Sequence, residues 1–357
     1  MNIQEFASKN RIPIIGNFEL TRKCPLNCLI CYNDRKIGVP EMGVEQIYSI
    51  IDQLAELGCL YINLTGGDPL VRGDFESIYE YIISKGICPS VESSLVYLPQ
   101  RLIELFKKRS PDYFSISLYG VDKEIYQKAT QSRADVKRVL QNIRILKETG
   151  TNFRLRTPVT KINLNQVGKI AEFAKELDIQ YRPTCKIFWK QNGEKCNQYR
   201  CTSREIEPYL TEDPVYRLLY EESLVLETTG PKKKHCGTGI YDFNINPYGE
   251  LNFCITFWKP EYNLLTGSFK DAWNSWYPIF RRSDNDYCLA KELFSDGVTC
   301  PWGRIYTDDS FDTSKSLINH AKERIRELKE KGSTDYEIES KLKLSLDDIL
   351  YLNGTDS

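Results

Sequence analysis

The sequence predicts an α/β fold: a partial (β/α)6 barrel followed by a smaller α+β unit. Strand-like and amphipathic helical runs alternate through the first half, and the pattern breaks after about Lys186. The last third carries a hairpin signal, YDFNINPYGELNFCITF, in which apolar alternation is interrupted by Pro-Tyr-Gly. Serial strand–helix alternation forces right-handed crossovers and therefore a parallel sheet, here curled into part of a barrel.

Taken in order, the strand candidates are residues 14–20, 60–64, 90–97, 113–118, 153–160 and 180–187. Between them, Val44, Ile47, Ile51, Leu54 and Leu57 recur at helical spacing, as do Val136, Val139, Ile143 and Leu146. Residues 188–230 are polar and helix-leaning and read as a bridge over the barrel, with a capping-box start at Thr202-Ser203-Arg204-Glu205. Residues 231–312 form the smaller unit, with Trp258, Trp273 and Trp276 as its core. The tail, 313–357, places Leu317, Ala321, Ile325 and Leu328 on one helical face. Only about a dozen residues precede the first strand, so no leader-recognition domain is expected there.

The 357-residue chain, 41% hydrophobic, has ample material for a core. Its 48 basic and 49 acidic residues give a net charge of -1, which argues against a nucleic-acid partner. There is no signal-peptide pattern and no run of about 18 apolar residues, so a cytoplasmic protein without a membrane partner is expected. Twelve cysteines in a reducing compartment point to metal or redox chemistry rather than disulfides.

In CPLNCLICY, Cys24, Cys28 and Cys31 follow the first strand as C-x3-C-x2-C. Three thiolates within eight residues can hold three irons of a [4Fe–4S] cluster and leave the fourth open, whereas a closed cluster or a structural zinc needs four ligands. The glycine-rich TGGDP follows the second strand. Both lie at the carboxyl ends of strands, where barrels of this type place their active sites.

With CPLNCLICY after strand one, TGGDP after strand two and SISLYG at strand four, residues 13–187 resemble the radical S-adenosylmethionine (radical SAM) enzymes and their TIM-like partial barrel. The resemblance implies that Cys24, Cys28 and Cys31 hold a [4Fe–4S] cluster whose open iron is chelated by S-adenosyl-L-methionine (SAM). One electron then cleaves SAM to a 5′-deoxyadenosyl radical that takes a hydrogen atom from a substrate. It further implies that Gly66, Gly67, Asp68 and Pro69 meet the SAM ammonium, with Asp68 standing where the family has Glu. Ser117 matches the position that reaches the ribose or carboxylate of SAM, and Tyr32 the aromatic near adenine. Arg156 is the candidate for the SAM carboxylate, because a guanidinium fork suits a carboxylate, with Arg154 and Arg182 as alternatives. Where relatives have Thr-Asn-Gly after strand three, this chain has Glu92, Ser93 and Ser94.

In the second half, Cys236, Gly249 and Cys254 resemble the opening of the SPASM auxiliary-cluster domain. With only Cys288 and Cys300 to follow, the set matches the reduced Twitch version, which implies one auxiliary [4Fe–4S] cluster. Zinc is the alternative there, because sulfur ligands alone do not separate the metals. Cys59 and Cys88 read as small core residues. Cys185, Cys196 and Cys201 read as plain thiols of the bridge or as hydrogen donors in the pocket. Lys232 to Lys234 read as a solvated loop or a contact for an acidic leader peptide, and His235 and His320 lie in no motif. The resemblance implies a ribosomally made precursor peptide as substrate, a separate leader-recognition protein, and an electron donor such as flavodoxin or ferredoxin. A Twitch-type dehydrogenase of a small alcohol or aminocyclitol, and a non-catalytic zinc protein, are the alternatives.

Overall fold

Successive side chains of a strand point to opposite faces, so the sequence of each strand decides what lies inside the barrel and what lies outside it. The computed structural model describes residues 3–33, 39–188, 190, 194, 196–228, 239–252, 262–280, 326 and 329–331. A short helix, α1 (Ile3–Asn10), leads into β1 (Ile15–Thr21). There follow α2 (Val44–Glu56), β2 (Tyr61–Gly66), α3 (Phe75–Ser84), β3 (Cys88–Ser93), α4 (Gln100–Lys108), β4 (Tyr113–Ser117), α5 (Lys123–Thr130), α6 (Val136–Glu148), β5 (Phe153–Pro158), α7 (Val167–Glu176) and β6 (Gln180–Thr184). The bridge contains α8 (Ser203–Ile206) and α9 (Val215–Thr228), and then come β7 (Asp242–Ile245), β8 (Glu250–Asn252), β9 (Tyr262–Asn263) and α10 (Phe269–Phe280).

These nine strands make one sheet in the order β6-β5-β4-β3-β2-β1-β7-β8-β9, with β1 to β6 parallel and in sequence order. The predicted partial (β/α)6 barrel is therefore present. Its outward side chains, among them Phe18, Leu20, Ile62, Leu64, Val91, Phe114, Ile116 and Leu155, are fully buried under the apolar rows of the helices. Those rows include Ile47, Ile51 and Leu54 of α2 and Val139, Ile143 and Leu146 of α6, as the helical spacing requires. The alternate, inward positions are polar: Asn63 donates to Asn17 at 2.9 Å and accepts from Ser90 at 2.9 Å. Burial of an apolar side chain contributes about 1.5–3 kcal/mol, so the core sits between sheet and helices, and the barrel lumen is left for polar chemistry. None of the described helices is long and apolar enough to cross a membrane.

The strands end earlier than the apolar runs suggest, at residue 93 rather than 97, 158 rather than 160, and 184 rather than 187. At each end, side chains take over the main-chain donors: Ser94 N–H goes to Asp68, Thr160 N–H to Asn163 and Cys185 N–H to Glu222. The capping box at Thr202 and Glu205 forms as expected, whereas α1 was not foreseen. Its Ile3, Phe6 and Ala7 pack with Ile12, Ile14, Leu60 and Tyr61.

The hairpin is present, with Gly249 turning at φ 75° between β7 and β8. It is not set apart from the barrel, however. β7 pairs in parallel with β1, and a Cβ on Gly16 would lie 2.3 Å from the Phe243 ring, so the absence of a side chain in β1 lets β7 close. Trp273 likewise belongs to the main core: it stacks on Phe269, packs edge-on to Phe243, and donates its indole N–H to Arg11 O at 2.8 Å. Large aromatics seek the largest available apolar surface, and here that is the barrel wall. Trp258, Lys232 to Lys234, His235, His320, Cys236, Cys254, Cys288 and Cys300 lie outside the described residues.

Candidate active site

The loop after β1 carries Cys24, Cys28 and Cys31, all with free thiols and all partly buried. Two main-chain bonds seat it on the end of α5: Asn27 N–H donates to Thr130 O at 2.9 Å and Leu29 N–H to Ala129 O at 3.1 Å. The last carbonyls of a helix lack internal partners, and the loop supplies them. Within the loop, Cys31 N–H donates to Cys28 O at 3.0 Å and Leu26 N–H to Cys24 Sγ at 3.4 Å. Burial pushes the Cys28 thiol up, Cys31 and Cys24 add to this, and a hydrogen bond with Tyr119 opposes it. Tyr119 itself, two residues beyond β4, is pushed up by burial and by the thiols it faces.

Thiolates gathered in this way repel one another, and a bound cationic centre relieves the repulsion. The donor set thus fits an iron–sulfur cluster with three cysteine ligands. Among the described residues no group of three or more His, Cys, Asp or Glu side chains is gathered as a site for a metal ion. The fit therefore rests on donor type and on the anchoring of the loop.

β2 runs directly into Gly66, Gly67 and Asp68, and this turn is pressed against the cysteine loop. Gly67 N–H donates to Thr21 O at 2.6 Å and Asp68 N–H to Lys23 O at 2.9 Å. A Cβ on Gly66, where φ is +129°, would lie 2.3 Å from Thr21 O, and one on Gly67 would lie 2.3 Å from Lys23 O. Only glycine permits that approach. Asn33 ties the two segments a second time: it accepts from Arg22 Nη1 and donates to Gly66 O at 2.6 Å. Arg22 also makes a 2.8 Å ion pair with Glu19, both side chains being almost fully buried. Burial pushes the Glu19 acid up, and the Arg22 charge works against that.

The Asp68 carboxylate is fully buried and fully engaged. Ser93 Oγ donates to its two oxygens at 2.9 and 3.0 Å, Ser94 N–H and Oγ–H reach Oδ2 at 3.0 and 2.5 Å, and Leu70 N–H reaches Oδ1 at 3.2 Å. The Ser93-Ser94 pair, which departs from the family pattern, thus holds the Asp, which departs from it too. Pro69 opens a short buried turn beyond it.

Ser117 ends β4 opposite Arg156, which lies opposite Arg182 on β6. Arg156 Nη1 is 3.2 Å from Glu92 Oε1, and Thr65 Oγ donates to the other Glu92 oxygen at 3.4 Å. Arg154 lies over the Tyr113 ring, 4.6 Å from its centroid. Tyr32 meets Phe188 edge-on at 6.3 Å; burial, then Glu19 and Glu92, push its phenol up, so it faces the lumen. The three bridge thiols separate. Cys185 and Cys201 are buried with Val159, Leu164, Ile206, Tyr216 and Leu219. Cys196 is buried with Ile30 and Ile187 and lies within electrostatic range of Cys31. Cys59 is core, as read, and Cys88 is partly buried.

Tyr119, Glu19, Arg22 and Asn33 escaped the sequence reading. One signal was available: Glu19 falls on the inward face of an otherwise apolar strand, two residues before Thr21.

Comparison with known proteins defines the class. Residues 18–174 match the Radical SAM superfamily model, so this part of the chain is a radical SAM domain. The AdoMet-dependent heme synthase of Methanosarcina barkeri is 29% identical over 167 residues, 46% of this chain and 48% of that one. The PqqA peptide cyclase of Granulibacter bethesdensis is 27% identical over 162 residues, 44% of this chain and 43% of that one. The chain thus spans about half the length of these relatives. Among solved structures, SuiB of Streptococcus suis bound to the precursor peptide SuiA superposes with a TM-score of 0.60 at 16% identity, over 78% of this chain and 70% of that one.

Proposed function

We propose that this protein binds a [4Fe–4S] cluster through Cys24, Cys28 and Cys31, cleaves SAM reductively there, and abstracts a hydrogen atom from a ribosomally synthesised precursor peptide. The observation that carries the reading is the meeting of the cysteine loop and the Gly66-Gly67-Asp68 turn at the carboxyl ends of β1 and β2, joined by main-chain bonds and by Asn33. When bound, the cluster supplies the electron that cleaves SAM.

The chain's own residues have separable tasks. Asp68, held by Ser93 and Ser94, fixes the turn so that the main chain of Gly66 and Gly67 faces the SAM ammonium. Arg156 and Ser117, adjacent on β5 and β4, meet carboxylate or ribose oxygens, with Arg182 beside them. Tyr32 supplies an aromatic wall near adenine. If the product is an epimer, the thiol that returns the hydrogen is Cys196, which alone of the three bridge cysteines lies near Cys31. Cys236, Cys254, Cys288 and Cys300 are assigned to an auxiliary cluster in a Twitch-like region, 231–312, on their spacing. The peptide reading is supported by the peptide cyclase among the relatives and by the fold shared with a peptide-bound enzyme. We place the protein in the cytoplasm, with a leader-recognition protein as a further partner.

The test is anaerobic reconstitution followed by iron, sulfide and 5′-deoxyadenosine analysis. The reading predicts a brown protein that forms 5′-deoxyadenosine from SAM under dithionite, and loss of this in Cys24→Ala, Cys28→Ala and Cys31→Ala. Colourless protein containing zinc would overturn it. Incubation with candidate precursor peptides, against an aminocyclitol control, tests the substrate class.

A further inference from the structure

The cysteine loop exposes one edge, at Lys23, Pro25 and Asn27, and the main-chain bonds of Asn27 and Leu29 make that edge continuous with the corner between α5 and α6. This rim is basic. Lys23, Lys123, Lys128, Arg133, Lys137 and Arg138 are all exposed on it, against the exposed acids Glu124 and Asp135, a surplus of four positive charges on a chain of net charge -1. Asp122, at the start of α5, is already paired with Lys169 at 2.7 Å. None of the six cations forms an ion pair among the described residues, although Lys85, Arg101, Lys107, Arg144, Lys161, Lys169, Lys186 and Lys190 do elsewhere.

Lys137 and Arg138 stand in the first turn of α6, where the positive end of the helix dipole disfavours cations, and no acidic residue occupies that turn. Six unneutralised cations around the exposed edge of one loop, two of them placed against a helix dipole, make the rim complementary to an acidic partner.

We propose that this rim docks an acidic one-electron carrier protein of the flavodoxin type, which delivers the electron to the cluster on the other side of the loop. The inference rests on the function proposed above, since only a redox cluster needs such a partner. In the step itself, one electron leaves the carrier's reduced flavin and enters the cluster; no bond is made or broken and no proton is transferred. Docking of this kind is steered by charge and weakens as salt screens it.

The test uses the reconstituted full chain, flavodoxin as the probe, and the variant Lys128→Glu/Arg133→Glu/Lys137→Glu. A second variant, Lys107→Glu/Lys108→Glu, reverses charge at the far end of α4 as a control. Binding of oxidised flavodoxin is measured by biolayer interferometry at low and high salt, and 5′-deoxyadenosine formation is measured with reduced flavodoxin and, separately, with dithionite. The rim variant is expected to bind flavodoxin about tenfold more weakly at low salt, with a flatter salt dependence. It should lose flavodoxin-driven SAM cleavage in the same proportion while keeping dithionite-driven cleavage and melting temperature at wild-type levels. Unchanged flavodoxin binding in the rim variant, or an equal loss in the α4 variant, overturns the docking surface. Absence of dithionite-driven cleavage in the wild type refutes the proposed function instead, and the binding measurement still reads the surface.

Discussion

Asp68 offers the sharpest test of how the site is built, because the structure assigns its carboxylate to the protein and the family resemblance assigns it to the cofactor. Consider Asp68→Asn. The two carboxylate oxygens accept from two different main-chain donors, Leu70 N–H at Oδ1 and Ser94 N–H at Oδ2. An amide has one oxygen, so whichever way it turns, one buried N–H faces an NH2 group. A stranded buried donor costs about 1–3 kcal/mol. Asp68→Glu keeps the charge and restores the family's residue, but it forces a methylene into a fully buried cradle, at about 1–3 kcal/mol. Both variants should therefore melt earlier, by about 2–4 °C per kcal/mol, and both should bind SAM more weakly because the Gly66-Gly67 turn loses its anchor. Combining Asp68→Asn with Ser94→Ala should cost less than the sum of the single changes, since the two side chains share bonds.

The pH dependence follows with a definite sign. Burial raises the Asp68 acid in the folded state, despite the bonds from Ser94 and Ser93. The folded protein therefore holds this proton more tightly than the unfolded chain does. The wild type then loses stability relative to Asp68→Asn as pH rises from the ordinary carboxylate value to the raised one, and the difference levels off above it. Melting curves across the acid range and SAM titrations by fluorescence read both effects. Wild-type stability and SAM affinity in Asp68→Glu, with Asp68→Asn stable but unable to bind SAM, would refute the reasoning and return the carboxylate to the ammonium.

Three further outcomes follow. Gly67→Ala places its Cβ against the Lys23 and Arg22 carbonyls, which are main chain and cannot swing away, so it should lower both melting temperature and iron content after reconstitution. Arg22→Met leaves Glu19 buried without its partner and should cost about 3–5 kcal/mol by denaturant unfolding, whereas Glu19→Gln/Arg22→Met should recover much of that loss. If the product is an epimer, Cys196→Ser should abolish solvent deuterium incorporation at the stereocentre while Cys185→Ser and Cys201→Ser retain it, because only Cys196 lies near Cys31.

The alternation of strands and helices was legible because burial imposes it. Ile47, Ile51 and Leu54 must face one way for α2 to cover β1 and β2, and the spacing shows it. The Cys24-Cys28-Cys31 triplet and the paired glycines were legible because chemistry and close approach leave few substitutes. Less visible were contacts made by common residues across long sequence separations. Nothing local in Gly16 announces Phe243, and nothing in Trp273 announces Arg11, 262 residues away. For that reason the hairpin and α10 read as a separate unit, when β7 in fact extends the barrel sheet past β1.

The strand ends show why the site was only half readable. At the carboxyl ends of β3, β5 and β6 the main chain leaves the ladder two to four residues before the apolar run stops, and each released N–H must find another acceptor. Asp68, Asn163 and Glu222 are those acceptors. A polar residue there has two demands on it, to complete the backbone and to meet a ligand, and the sequence does not say which it serves. The resemblance assigned Asp68 to the ligand; the geometry gives its oxygens to Ser93, Ser94 and Leu70. Gly66 and Gly67 carry no such ambiguity, since a residue without a side chain offers only its backbone. The part of the TGGDP segment that binds SAM in this chain is therefore the part that sequence motifs describe least: the direction of two carbonyls and two amides, set by a carboxylate that never touches the ligand.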